Sequence, residues 1–137
     1  HEKFHAVLNS LGICFFSTIV NSGDLLTWPD LGELLSAATG WNIDEDGLKM
    51  IGERIHTLER YFNYIHAGFD RKDDYPPDRF FKERIKSGPY KGEKLDKEKF
   101  DKMLSENYEI HGWNENGVPP KTRLDELGLD EFINYSK

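Results

Sequence analysis

Cys14 is the only cysteine of the chain, and it closes the stretch Asn9-Ser10-Leu11-Gly12-Ile13-Cys14 just ahead of the apolar run Phe15 to Val20. Two chemistries are open to it. As a small apolar side chain within a hydrophobic segment it would be buried core. As a thiolate it would be a soft ligand suited to an iron–sulfur cluster, but a four-iron cluster takes four cysteines, so three would have to come from elsewhere. A lone cysteine has no internal disulfide partner, which fits a reducing, cytoplasmic compartment. The five histidines, at positions 1, 5, 56, 66 and 111, make a weaker case. His1 and His5 share a helical face at i,i+4, yet no H-E-x-x-H pattern accompanies them, and all five are read as terminal or surface residues. There is no glycine-rich phosphate loop, no G-x-S-x-G elbow and no Ser/His/Asp order, so the sequence nominates no catalytic residue.

The elements that must position Cys14 read as helices. Phe4, Val7, Leu8 and Leu11 recur at helical spacing, and Gly12 ends that helix just before the thiol. A second, short helix is predicted in Leu25–Trp41, with Pro29 in its first turn and Gly40 as its C-terminal cap. The longest helix should follow Asp44 as N-cap and end before Gly68. Leu48, Ile51, Ile55, Leu58, Phe62 and Ile65 form its apolar stripe, and Lys49, Glu53, Arg54, Glu59 and Arg60 are assigned to its solvated side. The charged, proline-bearing stretch from Asp70 to Phe100 reads mostly as surface loop, with a turn or two of helix around Arg79 to Ile85. Asp96 then caps a helix that carries Phe100, Leu104 and Tyr108 on one side and closes at Gly112, and Pro120 opens one more before a short helical end. Nothing alternates as a strand would, and no internal repeat occurs. The expected fold is all-α, an irregular bundle of about five or six helices forming a single helical domain over 1–137.

The totals narrow the partners. The chain has 137 residues, and 25 acidic against 18 basic side chains give a net charge of −7, which repels nucleic acid on average. The longest apolar stretch, Leu11 to Val20, is far short of the roughly 20 residues that span a bilayer, so no membrane helix is expected. The opening residues HEKFH do not make a signal peptide.

Several stretches taken together resemble the C-terminal region of the tungsten-containing aldehyde ferredoxin oxidoreductase family. NSLGIC is similar to that family's D-x-x-G-x-C segment, and LLSAATGWNIDEDGLKMIGERIHTLERYFN to its helical stretch with the T-G-W and G-E-R-I…L-E-R…F-N landmarks. GFDRKDDYPPDRFF and NYEIHGWNENGVPPKTRLDELGL resemble its closing segments. The resemblance implies that Cys14 is one of four thiolates around a 4Fe-4S cluster, the other three lying in a cysteine-rich motif upstream. It implies equally that Asn9, Leu11, Gly12 and Ile13 border a tungsten (or molybdenum) bis-pterin cofactor. A short polar side chain at 9 can hydrogen-bond a pterin edge, and Gly12 lets backbone approach it.

Asn9 stands where the family carries aspartate, replacing a charge-assisted bond by a neutral one. FNYIHAGF stands where the family carries F-N-x-R-x-G-F, with His66 near the missing arginine. The implied activity is oxidation of aldehydes to carboxylic acids, with ferredoxin as electron acceptor. Because the chain begins at His1 rather than Met, it is expected to be the C-terminal portion of a larger enzyme. Its partners would be the N-terminal domains of the same protein, ferredoxin and a small aldehyde, and alone it should be inactive and bind no cluster. Two other readings stay open: a related tungsten enzyme with another carbonyl or thioester substrate, and a free-standing helical interaction module without metal chemistry.

Overall fold

The computed structural model describes residues 1–135, and it is all-α as the sequence implies. In chain order it has α1 (Glu2–Leu11), α2 (Trp28–Thr39), α3 (Glu45–Ala67), α4 (Arg79–Lys82), α5 (Lys97–His111) and α6 (Lys121–Glu126). Short 3-10 turns occur at Phe15–Ser17, Arg71–Asp74 and Asp130–Tyr135. The helices are of unequal length, from four residues to 23, so the arrangement is irregular rather than up-down. The closing Ser136 and Lys137 of the expected helical end lie outside the described residues. The chain divides into two compact units, His1–Glu59 and Arg60–Lys137, with the boundary inside α3.

In the first unit the caps fall where the sequence puts them. Thr27 and Asp30 form a capping box at the start of α2, the Asp30 carboxylate accepting from the Thr27 amide (2.7 Å) and hydroxyl (2.6 Å). Those bonds, the hydroxyl's foremost, hold the Asp30 carboxyl below the usual carboxylate range. Asp44 caps α3 by accepting from the Gly47 amide at 2.8 Å. Phe4, Val7, Leu8, Leu31 and Leu48 make the buried centre. The ring of Phe4 meets Trp28 edge-on at 4.8 Å. At Gly52 of α3 a Cβ would stand 2.6 Å from the Lys3 carbonyl oxygen, so the missing side chain is what lets α1 lie this close. Among the described residues strand-like pairing is confined to an isolated bridge between Thr18 and Leu26.

In the second unit Asp96 caps α5 through the Glu98 (3.0 Å) and Lys99 (3.1 Å) amides, and Gly112 ends it in the left-handed region at φ 68°. Tyr108, Trp113, Leu124, Leu127 and Leu129 are buried there. The stretch after Asp70, read as loop, has more order than expected. Asp70 caps the 3-10 turn by accepting from the Lys72 amide, and Tyr75, Phe81 and Phe100 form an aromatic triangle with centroids 5.6 to 6.4 Å apart.

Two expectations are corrected. Glu53 and Arg60, placed on the solvated side of α3, are buried at 4% and 8% exposure, whereas Phe62 of the apolar stripe is largely exposed. Each buried charge has a counter-charge within its own unit, Lys3 for Glu53 and Asp74 for Arg60, so burial is offset by pairing. The histidines are not all at the surface either. His111 is buried and stacks on Trp113 at 4.8 Å. His56 is half-buried, its Nε2 3.4 Å from the Glu2 carboxylate.

Candidate functional site

The thiol is presented by the C-terminal end of α1. Val7 and Leu8 of its last turns are almost fully buried and fix the helix, while Asn9 and Ser10 on the next positions are exposed. Gly12 takes φ 69°, ψ 24°, and its amide donates to the Asn9 and Leu8 carbonyls. The Ile13 amide reaches back to the Leu8 carbonyl at 3.0 Å, which completes a Schellman-type stop and swings the chain away from the helix axis.

Beyond Gly12 the chain is extended. Cys14 lies at φ −65°, ψ 127°, and exposure alternates: Leu11, Ile13 and Phe15 are half-buried against the core, while Gly12, Cys14 and Phe16 face outward. The carbonyl of Cys14 accepts from the Ser17 amide at 3.0 Å and hydroxyl at 2.6 Å, so the backbone bearing the thiol is tied down on its C-terminal side. On the other side His5 meets Phe15 edge-on at 4.5 Å. The result is an anchored ledge whose outward positions are Asn9, Ser10, Gly12, Cys14 and Phe16.

Of the two chemistries open to Cys14, the buried-core one is removed, because the thiol is exposed. The residues singled out from the sequence therefore split by role. Asn9, Gly12 and Cys14 stand on the outer face of the ledge, and the side chains of Leu11 and Ile13 hold it to the core. A contact from these last two to anything beyond the ledge would come from their backbone.

A second constellation, in the unit Arg60–Lys137, went unread in the sequence. The Arg60 guanidinium donates through Nε to the Gly117 carbonyl (2.7 Å) and makes a two-pronged bond to Asp74 (2.8 and 2.6 Å). It lies over the rings of Phe69 and Trp113, 4.9 and 5.3 Å from their centroids. The Tyr108 hydroxyl donates to the same carboxylate, and burial, followed by that bond and the Asp74 charge, pushes its pKa far above the ordinary tyrosine value. Three of the five guanidinium N–H groups are engaged, so the cluster cross-links Arg60, Asp74 and Gly117 within the unit. Its members all lie in the stretches that carry the family resemblance, Arg60 in the L-E-R landmark, Asp74 in GFDRKDDYPPDRFF, and Tyr108 and Gly117 in NYEIHGWNENGVPPKTRLDELGL, but nothing in the sequence showed that they meet.

Comparison with known proteins decides the family. The family described as "Aldehyde ferredoxin oxidoreductase, domains 2 & 3" matches residues 1–129. The chain belongs to the aldehyde ferredoxin oxidoreductase family. Within that family it corresponds to the C-terminal region. It is 40% identical over 132 residues to the tungsten-containing aldehyde ferredoxin oxidoreductase of Pyrococcus furiosus, covering 96% of this chain and 20% of that protein. It is 35% identical over 136 residues to the aliphatic sulfonate oxidoreductase, WOR-like subunit, of the same organism, again covering 20% of the relative. Among solved structures, the active site complex BamBC of benzoyl coenzyme A reductase, in complex with 1,5-dienoyl-CoA, is similar at a TM-score of 0.62 and 30% identity. That likeness covers 80% of this chain and 16% of the other. The chain thus spans about a fifth of the length of the curated aldehyde ferredoxin oxidoreductases it matches.

Proposed function

We propose that this chain is the part of a tungstopterin, iron–sulfur oxidoreductase that supplies one cluster thiolate and a wall of the cofactor cavity. The observation that carries the reading is the outward-facing thiol on an anchored ledge, in a chain 40% identical to part of a tungsten-containing aldehyde ferredoxin oxidoreductase. The ledge fits the role. A thiolate ligand must be reachable from outside its own unit, and its backbone must not wander. Cys14 satisfies the first by exposure and the second through its carbonyl's two bonds to Ser17. Asn9 offers an amide that can donate and accept along a pterin edge, and Gly12 has nothing within 4 Å of the place where a Cβ would stand, so backbone and ligand can come close there.

One thiol is a quarter of the ligand set of a 4Fe-4S cluster, so the other three come from the remaining parts of the same protein. The tungsten bis-pterin, or a molybdenum counterpart, supplies the two-electron chemistry when bound. In the reaction an aldehyde and water become a carboxylic acid, two protons pass to solvent, and two electrons leave singly, each reducing one ferredoxin. Cys14 holds its side of the electron path in place, and Leu11, Ile13 and Phe15 keep the ledge against the core so that the thiolate is presented in one geometry. A reducing, cytoplasmic setting suits an exposed lone thiol, and no helix among the described residues is long and apolar enough to cross a membrane.

The test uses the full-length protein, purified without oxygen. Cys14→Ser should lower iron content and abolish or alter the electron paramagnetic resonance signal of the reduced cluster, while the wild type carries about four irons per chain. An unchanged signal in the variant would sink the assignment. A second reading, a sibling enzyme acting on another carbonyl or on a thioester, is favoured by two relatives whose names denote other chemistry, the sulfonate oxidoreductase and the benzoyl coenzyme A reductase complex. Substrate profiling of the full-length protein with aliphatic aldehydes, aromatic aldehydes and aromatic thioesters separates the two.

A further inference from the structure

Asn116–Gly117 is the one Asn-Gly pair in the 137 residues. No dipeptide loses ammonia more readily, because a following glycine puts no Cβ in the way when its amide nitrogen approaches the asparagine carboxamide. Packing fixes the glycine: its φ is +68°, and a Cβ there would stand 2.6 Å from both the Arg60 guanidinium and the Tyr108 ring. The residue before it is under no such constraint. Asn116 is exposed, and its carboxamide makes no hydrogen bond among the described residues, so it is free to turn toward the next amide.

The main chain around the pair holds the reaction off. The Gly117 amide donates to the Asn114 carbonyl at 2.8 Å, so the proton that must be removed is engaged. The Asn114 Oδ1 accepts from the Asn116 and Val118 amides, each at 3.0 Å. The carbonyls of Glu115, Asn116 and Gly117 accept in turn from Arg71 Nη1 (3.0 Å), the Arg71 amide (2.9 Å) and Arg60 Nε (2.7 Å). Closing a five-membered ring across residues 116 and 117 needs rotation between those carbonyls. Such rotation breaks hydrogen bonds to one buried and one half-buried arginine, all within the second unit.

We propose that Asn116 is a latent deamidation site, closed while residues 114–118 keep their arginine bonds and open whenever they detach, and that its reaction permanently unseats Arg60. In the open loop, base takes the Gly117 amide proton and the nitrogen attacks the Asn116 Cγ. The N–Cγ bond forms, the Cγ–Nδ2 bond breaks, and ammonia leaves. Water then opens the succinimide: addition at Cγ gives aspartate, addition at the main-chain carbonyl gives isoaspartate, and nothing is oxidised or reduced. Isoaspartate runs the main chain through the former side chain, one methylene longer. The carbonyls at 116 and 117 can then no longer both meet their arginine donors, and the buried Arg60 Nε is left without its acceptor.

The experiment follows residue 116 in the full-length holoenzyme at mildly alkaline pH, by peptide mapping with mass spectrometry that separates asparagine, aspartate and isoaspartate. The folded protein should react at about a tenth or less of the rate of the same protein unfolded in guanidinium chloride, because the folded rate is the open fraction times the unfolded one. Full-length Arg71→Gln, which gives up the tie to the Glu115 carbonyl, should react about tenfold faster than wild type when folded and equally fast when unfolded. Hydrogen exchange of the wild-type Gly117 amide needs no variant, and it should be slowed about tenfold or more by folding. Molecules that carry isoaspartate at 116 should exchange faster over residues 108–118 than unreacted ones. Equal deamidation rates in folded and unfolded protein, no isoaspartate in the unfolded protein, or an unprotected Gly117 amide would overturn the latent site. Unchanged exchange over residues 108–118 after isoaspartate forms would overturn its consequence for Arg60.

Discussion

Arg60 shows how much of this protein's stability can hang on one side chain. Its charge is almost fully buried, and it is tolerated only because Asp74 and the Gly117 carbonyl take all the donors that face them. Removing the guanidinium leaves the Asp74 carboxylate, 20% exposed, without its cation, so Arg60→Ala should cost about 3 to 5 kcal/mol of unfolding free energy. Replacing Arg60 by Met and Asp74 by Leu together should cost clearly less, because no orphaned charge remains; chemical denaturation of the two variants checks the ranking. Tyr108 gives a spectroscopic handle on the same cluster. Burial first, then its bond to Asp74, favour the neutral phenol, so in an alkaline titration one of the six tyrosines should fail to ionise until the protein unfolds, and Tyr108→Phe should remove that late step.

Asp101 works in the opposite direction. The Tyr75 hydroxyl and then the Arg71 guanidinium favour its charged form and hold its carboxyl below the ordinary range. Its contribution to stability is therefore complete above the unfolded value near pH 4, and it is lost as pH falls through the lower folded value. Asp101→Asn should flatten the acid limb of the stability curve and leave its neutral plateau lower. None of these partners was legible in the sequence. Glu53 and Arg60 sit opposite an apolar stripe, which is the pattern of a solvated face, and Asp74 and Gly117 approach Arg60 from 14 and 57 residues away.

The elements were far more legible, because their ends are written in local chemistry. Asp44, Asp96, Pro29, Gly40 and Gly112 each act over a few residues, and each does in the structure what its type predicts. Two glycines at φ near +68° separate a conformational role from a packing one. Gly12 has nothing near its absent side chain, so Gly12→Ala should cost only the left-handed penalty, about 1 to 2 kcal/mol. At Gly117 a Cβ would stand 2.6 Å from both the Arg60 guanidinium and the Tyr108 ring, so Gly117→Ala adds a clash at the most tightly bonded point of its unit. Thermal melts of the two variants should rank Gly117→Ala well below Gly12→Ala. If Gly12 also gives a cofactor room to approach, Gly12→Ala in the full-length protein should lose bound metal out of proportion to its small loss of stability. Equal metal content in that variant would count against the approach. The apolar stripe of α3 was legible as a helix signal but not as a map of burial. A 23-residue helix shared by two units is covered by different neighbours along its length, and the polar positions that face those neighbours are buried by pairing.

At the scale of the whole molecule the surface is the informative part. Phe16 beside the thiol is 69% exposed, and Trp41, Phe62 and Ile110 are exposed by more than half. Single exposed apolar residues are ordinary, but Phe16 stands two positions beyond Cys14 on the same outward side of the ledge. The buried core of the first unit and the capped helices of both supply what a fold needs, whereas the ledge, in the role proposed for it, would supply one thiolate of four. Folding competence and cofactor competence should therefore come apart. The 137-residue chain made alone and reduced should show a helical circular dichroism spectrum and a cooperative melt, yet bind a hydrophobic reporter dye through its exposed aromatics. After anaerobic reconstitution with iron and sulfide it should retain no stoichiometric iron, and it should reduce no dye with aldehydes. Rescue of iron binding should require the remaining parts of the protein, and Cys14→Ser should block that rescue without changing the melt of the isolated chain. Four tightly held irons in the isolated wild-type chain would mean that a cluster can be built without outside thiols, and the division of labour argued for Cys14 would then be wrong.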